Sequence, residues 1–93
     1  MSSKEGKKLM GVLCVVYIPY SESIREYYTG HTRDLQNRHQ EHNSGETPSL
    51  RNGIPWTVVW MSEPMPRSEA MKLEAKIKSR GAARFLQETS KPG

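Results

Sequence analysis

The stretch YYTGHTRDLQNRHQEHNSG, residues 27–45, decides how the whole chain is read. Its first four residues have the character of a strand end. The rest reads as a helix that opens near Thr32 or Asp34, runs over about Arg33–Asn43 and stops at Asn43-Ser44-Gly45. That helix has almost nothing apolar to bury. At helical spacing, one of its faces carries Leu35, Arg38, His39 and His42. A short helix ordinarily turns an apolar stripe toward its core. An arginine and two histidines on that face point instead to a polar cleft.

Working outward, Leu9–Ile18 is rich in β-branched residues and stops before Pro19, so it reads as a strand. Pro19–Arg25 is a polar connection, and Glu26–Gly30 is a second, short strand that pairs back antiparallel. Ser44–Pro55 contains two glycines and two prolines and reads as a loop with one helical turn. WTVVWMS, residues 56–62, is a third strand, stopped by Pro64 and Pro66. Ser68 is placed to cap a helix over Glu69–Arg80, with Glu69 in the favourable first turn, Lys78 and Arg80 in the last, and Gly81 just beyond. Ala82–Glu88 forms a last short helix. The order ββαβαα predicts a small mixed α/β sandwich, a three-stranded antiparallel sheet flanked by helices. The chain reads as one domain over 1–93, with its core at about 11–88 and with 1–8 and 89–93 flexible.

Composition bounds what this domain does. Its 93 residues are 34% hydrophobic, enough for one modest core. Lys4, Lys7 and Lys8 precede only the short run Leu9–Ile18, broken by Gly11. This is neither a signal peptide nor a membrane span. A single cysteine, Cys14, excludes an internal disulfide and suits a reducing, cytoplasmic setting; its plain reading is a small core residue. The net charge is +4, and residues 67–84 alone hold six Lys/Arg against two Glu. An anionic partner, most simply nucleic acid, fits that balance, and so does a solvated helix face.

The second long helix repeats the anomaly of the first. Ala70, Met71, Leu73 and Ile77 mark its buried arc, and Glu74 falls inside that arc. A carboxylate there must be paired, protonated or bound to a metal, because burying it bare costs several kcal/mol. The plain alternatives are an i,i+4 pair of Glu74 with Lys78 and a pair of Arg38 with Glu41. Lys72, Lys76 and Arg80 stand on the other side, as a solvated or phosphate-facing stripe. Charge turned inward on two helices suggests a cleft with an acid on one wall and Arg/His on the other. Such a cleft suits phosphoryl chemistry: a carboxylate holds Mg²⁺ through an oxygen, and an arginine neutralises charge developing on phosphate.

These residues resemble the GIY-YIG nucleases. That family is named for two tripeptides on adjacent strands, which appear here as Val15-Val16-Tyr17 and Tyr28-Thr29-Gly30. Arg38 follows the second tyrosine by ten residues, as in the family. Thr32, Asp34, Leu35, His42, Asn43 and Gly45 also fit its helix. Leu73-Glu74-Ala75-Lys76-Ile77-Lys78 matches the segment that carries the family's metal-binding glutamate. The likeness spans about residues 11–88 and is closest to small stand-alone bacterial members. Valines replace the first glycine and isoleucine, Thr29 replaces the second isoleucine, and residues 75–93 lack the asparagine many members carry.

The resemblance implies a metal-dependent endonuclease that hydrolyses phosphodiester bonds, of DNA rather than RNA, in repair, recombination or processing of branched or nicked structures. It implies Mg²⁺ or Mn²⁺ held by Glu74, charge stabilisation by Arg38, Tyr17 as general base and Tyr28 orienting water or phosphate. His42 would hydrogen-bond the phosphate, Tyr17 or a water, and Gly30 would be a structural motif residue. Tyr17 serves as a base only if the cation and Arg38 lower its pKa from about 10. Lys72, Lys76, Lys78, Arg80 and Arg84 would contact the nucleic-acid backbone. No membrane partner is implied, and no protein partner is identified.

Other readings stand beside it. Both motif tyrosines fit hairpin core positions, Tyr27 is read as core, and His42 fits a helix-end group bonded to backbone. A domain of the same fold that binds or assembles on nucleic acid without cutting it accommodates the missing asparagine. Zinc held by Cys14, His31, His39 and His42 has only one close ligand pair, His39 and His42, in its favour.

Overall fold

A computed structural model describes residues 13–90 of the chain. The reading of Met1–Lys8 as frayed, the part of the Leu9–Ile18 strand reading at residues 9–12 and the part of the 89–93 flexible reading at residues 91–93 fall outside the described residues, while residues 89 and 90 belong to the last helix. The central element is β1 (Leu13–Ser21), against which every other strand pairs antiparallel. Along one edge lie β2 (Glu26–Tyr27) and β3 (Gly30–Thr32). Along the other lie β4 (Trp56–Met61) and β5 (Met65–Pro66). The helices are α1 (Leu35–Ser44), α2 (Arg67–Arg80) and α3 (Ala82–Ser90), with a 3₁₀ turn over Pro48–Gly53.

The sheet therefore has five strands, not three, because each flanking strand is interrupted. Between β2 and β3, Tyr28 still donates to the Pro19 carbonyl at 3.0 Å, but the ladder lapses until Gly30. Between β4 and β5, Ser62 closes the gap with its own atoms. Its amide donates to the Val16 carbonyl at 2.8 Å, and its hydroxyl accepts from the Val16 amide at 2.9 Å.

Pro19 does not end β1. It lies within it, opposite Val58, at a register shift between Ile18 and Pro19. A proline cannot donate to a ladder and is tolerated where the ladder is already irregular. Pro66 likewise pairs with Leu13 rather than merely stopping the third strand. Ser68 is not the cap of α2: the helix starts at Arg67 behind Pro66, and no side chain caps it. Asp34 does cap α1, its carboxylate accepting from the Asn37 amide at 3.1 Å, and Gly45 closes that helix in the left-handed conformation (φ 87°).

Side chains alternate across β1. Cys14, Val16 and Ile18 face Ala70, Ile77 and Phe85 of α2 and α3 in one buried cluster, joined by Trp60, Met65, Leu73, Ala82 and Leu86. Tyr17 points the other way, toward α1. Two assignments to the interior do not hold. Met71 is 50% exposed, turned off the arc that Ala70 and Ile77 occupy. Tyr27 is 40% exposed, packed on Tyr20 at 4.7 Å between ring centres, because β2 is a two-residue edge strand with no layer above it.

Asn43 fastens α1 to the sheet. Its amide oxygen accepts from the Trp56 backbone N–H at 2.6 Å, and its amide nitrogen donates to the Trp56 carbonyl at 3.0 Å. The Trp56 indole N–H donates to the Leu50 carbonyl at 2.8 Å, and Gly53 lies under that ring, where a Cβ would stand 2.4 Å from it. These bonds fix the position of α1 and therefore of His42.

Candidate active site

The face of α1 that is poor in apolar residues meets the tyrosines. His42 is its one buried residue, at 2% exposure. The Tyr17 hydroxyl lies 2.8 Å from His42 Nε2. The Tyr28 ring meets His42 edge-on at 5.7 Å between ring centres. Burial, reinforced by the charge of Arg38 and by His39, pushes the His42 imidazole below its ordinary pKa. His42 is thus neutral near pH 7. Its Nε2 accepts the Tyr17 proton, and its Nδ1–H faces the Thr47 hydroxyl at 3.4 Å. Burial pushes the Tyr17 phenol well above the ordinary range, and a charge on Tyr28 adds to this; Arg38 pulls it down without offsetting the burial. The ground state is a protonated tyrosine hydrogen-bonded to a neutral imidazole.

Gly30 permits this arrangement. It pairs with Tyr17 across the β1–β3 ladder, and the Tyr17 ring folds over it. A Cβ at residue 30 would stand 3.0 Å from the Tyr17 hydroxyl oxygen and 3.1 Å from the Tyr28 ring. Gly30→Ala is expected to cost about 1–3 kcal/mol from overpacking. It is also expected to lower cleavage by on the order of 10²-fold, through displacement of the phenol. Urea unfolding and single-turnover rates measure the two effects separately. Unchanged rates would mean the Tyr17 position is not critical.

The remaining α1 residues divide. His39 is half-buried, with Nε2 3.2 Å from the Asn43 amide nitrogen. Arg38 is exposed and lies 3.6 Å from Glu41. It lines a hollow of about 310 Å³ together with His31, Arg33, Asn37 and Arg67.

Glu74 approaches from α2. His31, opposite Val16 on β3, turns toward α2, and its Nδ1 lies 2.5 Å from Glu74 Oε1. Lys78 Nζ lies 2.8 Å from Glu74 Oε2. Burial pushes the Glu74 carboxyl up, but the hydrogen bonds from His31 and Lys78 outweigh it and hold the group below the ordinary carboxylate range. A second hollow, of about 210 Å³, is lined by Glu74, His31, Met71, Ala75 and Lys78. His31 lines both hollows and joins the arginine side to the glutamate side. Tyr28 meets the α1 side through its edge-on contact with His42.

Both plain alternatives for the inward charges are present as contacts: Glu74 pairs with Lys78, and Arg38 meets Glu41. His31 is the residue that the sequence reading placed only among possible zinc ligands. Among the described residues no group of three or more His, Cys, Asp or Glu is placed to hold a metal, so Cys14, His31, His39 and His42 do not converge. Cys14 is buried in the core cluster. Most of the α2–α3 basic stripe is already engaged. Lys72 meets Glu69 at 3.8 Å, Arg80 meets Glu88 at 2.5 Å and Arg84 meets Glu88 at 3.5 Å. Lys76 has no ion pair among the described residues.

The polar groups of this region are thus Tyr17 on β1, Tyr28 in the gap between β2 and β3, Arg38 and His42 on α1, and the half-buried Glu74 on α2. The chain matches the GIY-YIG catalytic domain over residues 13–87 and belongs to the GIY-YIG family, whose domains are nuclease-type and act on nucleic acid. It is also similar to a UPF0213 protein from Halobacterium salinarum, 42% identical over 53 residues that cover 56% of this chain and 69% of that protein. No solved structure matches it. Among the described residues no helix is long and apolar enough to cross a membrane.

Proposed function

We propose that this chain is a single-domain, divalent-metal-dependent endonuclease that hydrolyses DNA phosphodiester bonds at branched or nicked sites during repair or recombination. The observation that carries the reading is the Tyr17–His42 hydrogen bond at 2.8 Å, with Glu74 and Arg38 close enough for their charges to bear on the same phenol. As water attacks phosphorus, its proton passes to the Tyr17 oxygen while the Tyr17 proton moves to His42 Nε2. A tyrosine too weakly acidic to ionise alone thereby acts as a base. Arg38 faces the non-bridging oxygens and stabilises the charge that accumulates there. Tyr28, edge-on to His42, orients the water.

Glu74 fits a metal that keeps most of its waters and takes one protein carboxylate, as Mg²⁺ or Mn²⁺ does. The carboxylate is held ionised, and it borders a hollow. A cation there would stabilise charge on the leaving oxygen. His31 and Lys78 orient the carboxylate, and a cation taken on Oε2 would have to displace Lys78.

A second reading, a binding module without cleavage, is favoured by one observation: both Glu74 oxygens are already engaged by the protein. A cleavage assay on nicked, flapped, branched and linear DNA and on RNA, with and without Mg²⁺ or Mn²⁺, separates the two. Metal-dependent cutting of branched or nicked DNA is the expected result. Tight binding with no cutting in either metal supports the module.

A further inference from the structure

Five candidate nucleic-acid contacts lie on α2 and α3, yet four of those cations already face a glutamate of the same chain. The hollow beside Arg38 is different. Arg33 precedes the α1 cap, and Arg67 is the first residue of α2. They are far apart in sequence, but β5 pairs Pro66 with Leu13 and so brings Arg67 alongside β1, near the start of α1. Three arginines, Arg33, Arg38 and Arg67, line one hollow of about 310 Å³ with His31. The one carboxylate in its lining, Asp34, is occupied with capping α1. Neither Arg33 nor Arg67 has an ion pair among the described residues, and both are exposed.

Both cations also stand where the helix dipole is unfavourable to positive charge. The fold gains nothing visible from them there, whereas an anion lodged between them would be held by two or three forked donors. Because His31 borders this hollow and also touches Glu74, an anion here would lie next to the cleavage site.

We infer that Arg33 and Arg67, in the hollow that Arg38 also lines, bind a backbone phosphate neighbouring the one being cut, and that this pair, rather than the α2–α3 stripe, anchors the substrate. The inference rests on the nuclease reading for its ligand. Arg33 and Arg67 are not placed in the chemistry, so their loss weakens binding while leaving the chemical step intact.

The test is the salt dependence of affinity for a fluorescent nicked duplex, measured by anisotropy in Ca²⁺ for the whole chain. Wild type is compared with Arg33→Ala/Arg67→Ala, with Arg33→Lys/Arg67→Lys and with the stripe variant Lys72→Ala/Lys76→Ala/Arg84→Ala. The slope of log K against log salt changes by about 0.9 per lost duplex phosphate contact. The hollow Ala variant is expected to bind on the order of 10-fold more weakly and to flatten the slope by about 0.9, the loss of one phosphate contact. The Lys variant retains most of the slope, and the stripe variant resembles wild type. In single turnover at saturating substrate, the hollow Ala variant cuts at the wild-type rate. A slope unchanged by the Ala pair but flattened by the stripe variant overturns the inference and leaves the nuclease reading standing. If the chain neither binds nor cuts nucleic acid, the nuclease reading fails instead. NMR titration with diethyl phosphate then decides the hollow: shifts of the Arg33 and Arg67 Nε–H signals support a phosphodiester site, and their absence overturns it.

Discussion

Glu74→Gln is expected to abolish metal-dependent cleavage, a fall on the order of 10³-fold or more, while the protein stays folded. Glutamine keeps the shape of the side chain and can still accept from one of its two partners, His31 or Lys78. It loses the charge, and with it the carboxylate proposed to hold the metal. The stability cost is modest. Charge-assisted bonds to a 17%-exposed carboxylate contribute about 1–2 kcal/mol, discounted because Lys78 is itself more than half exposed. The sign of the pH dependence follows from the depressed carboxyl. Its contribution is fully present above the unfolded value near 4.5 and disappears as pH falls through the lower folded value. Urea midpoints of wild type and Glu74→Gln should therefore differ at pH 7 and converge in acid below about 4.5. Wild-type cleavage by the variant would reduce Glu74 to a partner of Lys78 and His31.

Tyr17→Phe is expected to lower cleavage by on the order of 10²–10⁴-fold, the range for loss of a positioned base. The ring still covers Gly30, so the effect isolates the hydroxyl. The same change strands His42 Nε2, which is buried, at a cost of about 1–3 kcal/mol. His42→Leu removes the other half of the pair. If the two act as one proton relay, each single variant and the double variant lose about the same activity, because a broken relay cannot be broken twice. If Tyr17 is only a core residue, activity survives and only stability changes. Single-turnover rates of the three variants, paired with their unfolding midpoints, distinguish the cases.

Much of this architecture was legible in the chain itself. The strand β1, the helices α1 and α2 and their stops follow from periodicity and punctuation by Gly45 and Gly81. Glu74 and His42 stood out because each falls on a face that should be apolar, and such misfits are visible in sequence whenever the helical period is clear. The breaks in the sheet edges were hidden, because they depend on Pro19 sitting at a register shift and on Ser62 replacing a backbone partner, which are properties of pairing between distant segments. The partnership of His31 with Glu74 spans 43 residues of sequence separation and leaves no local trace. Neither does the placing of Arg33 and Arg67 on one hollow, which depends on two residues of β5 finding the start of β1. Local sequence thus determined the type of the main elements and marked Glu74 and His42 as turned inward, but it misplaced Met71 and Tyr27. Tertiary structure alone decided which charges meet, because contact between side chains on different elements is set by strand register and helix placement rather than by spacing along the chain.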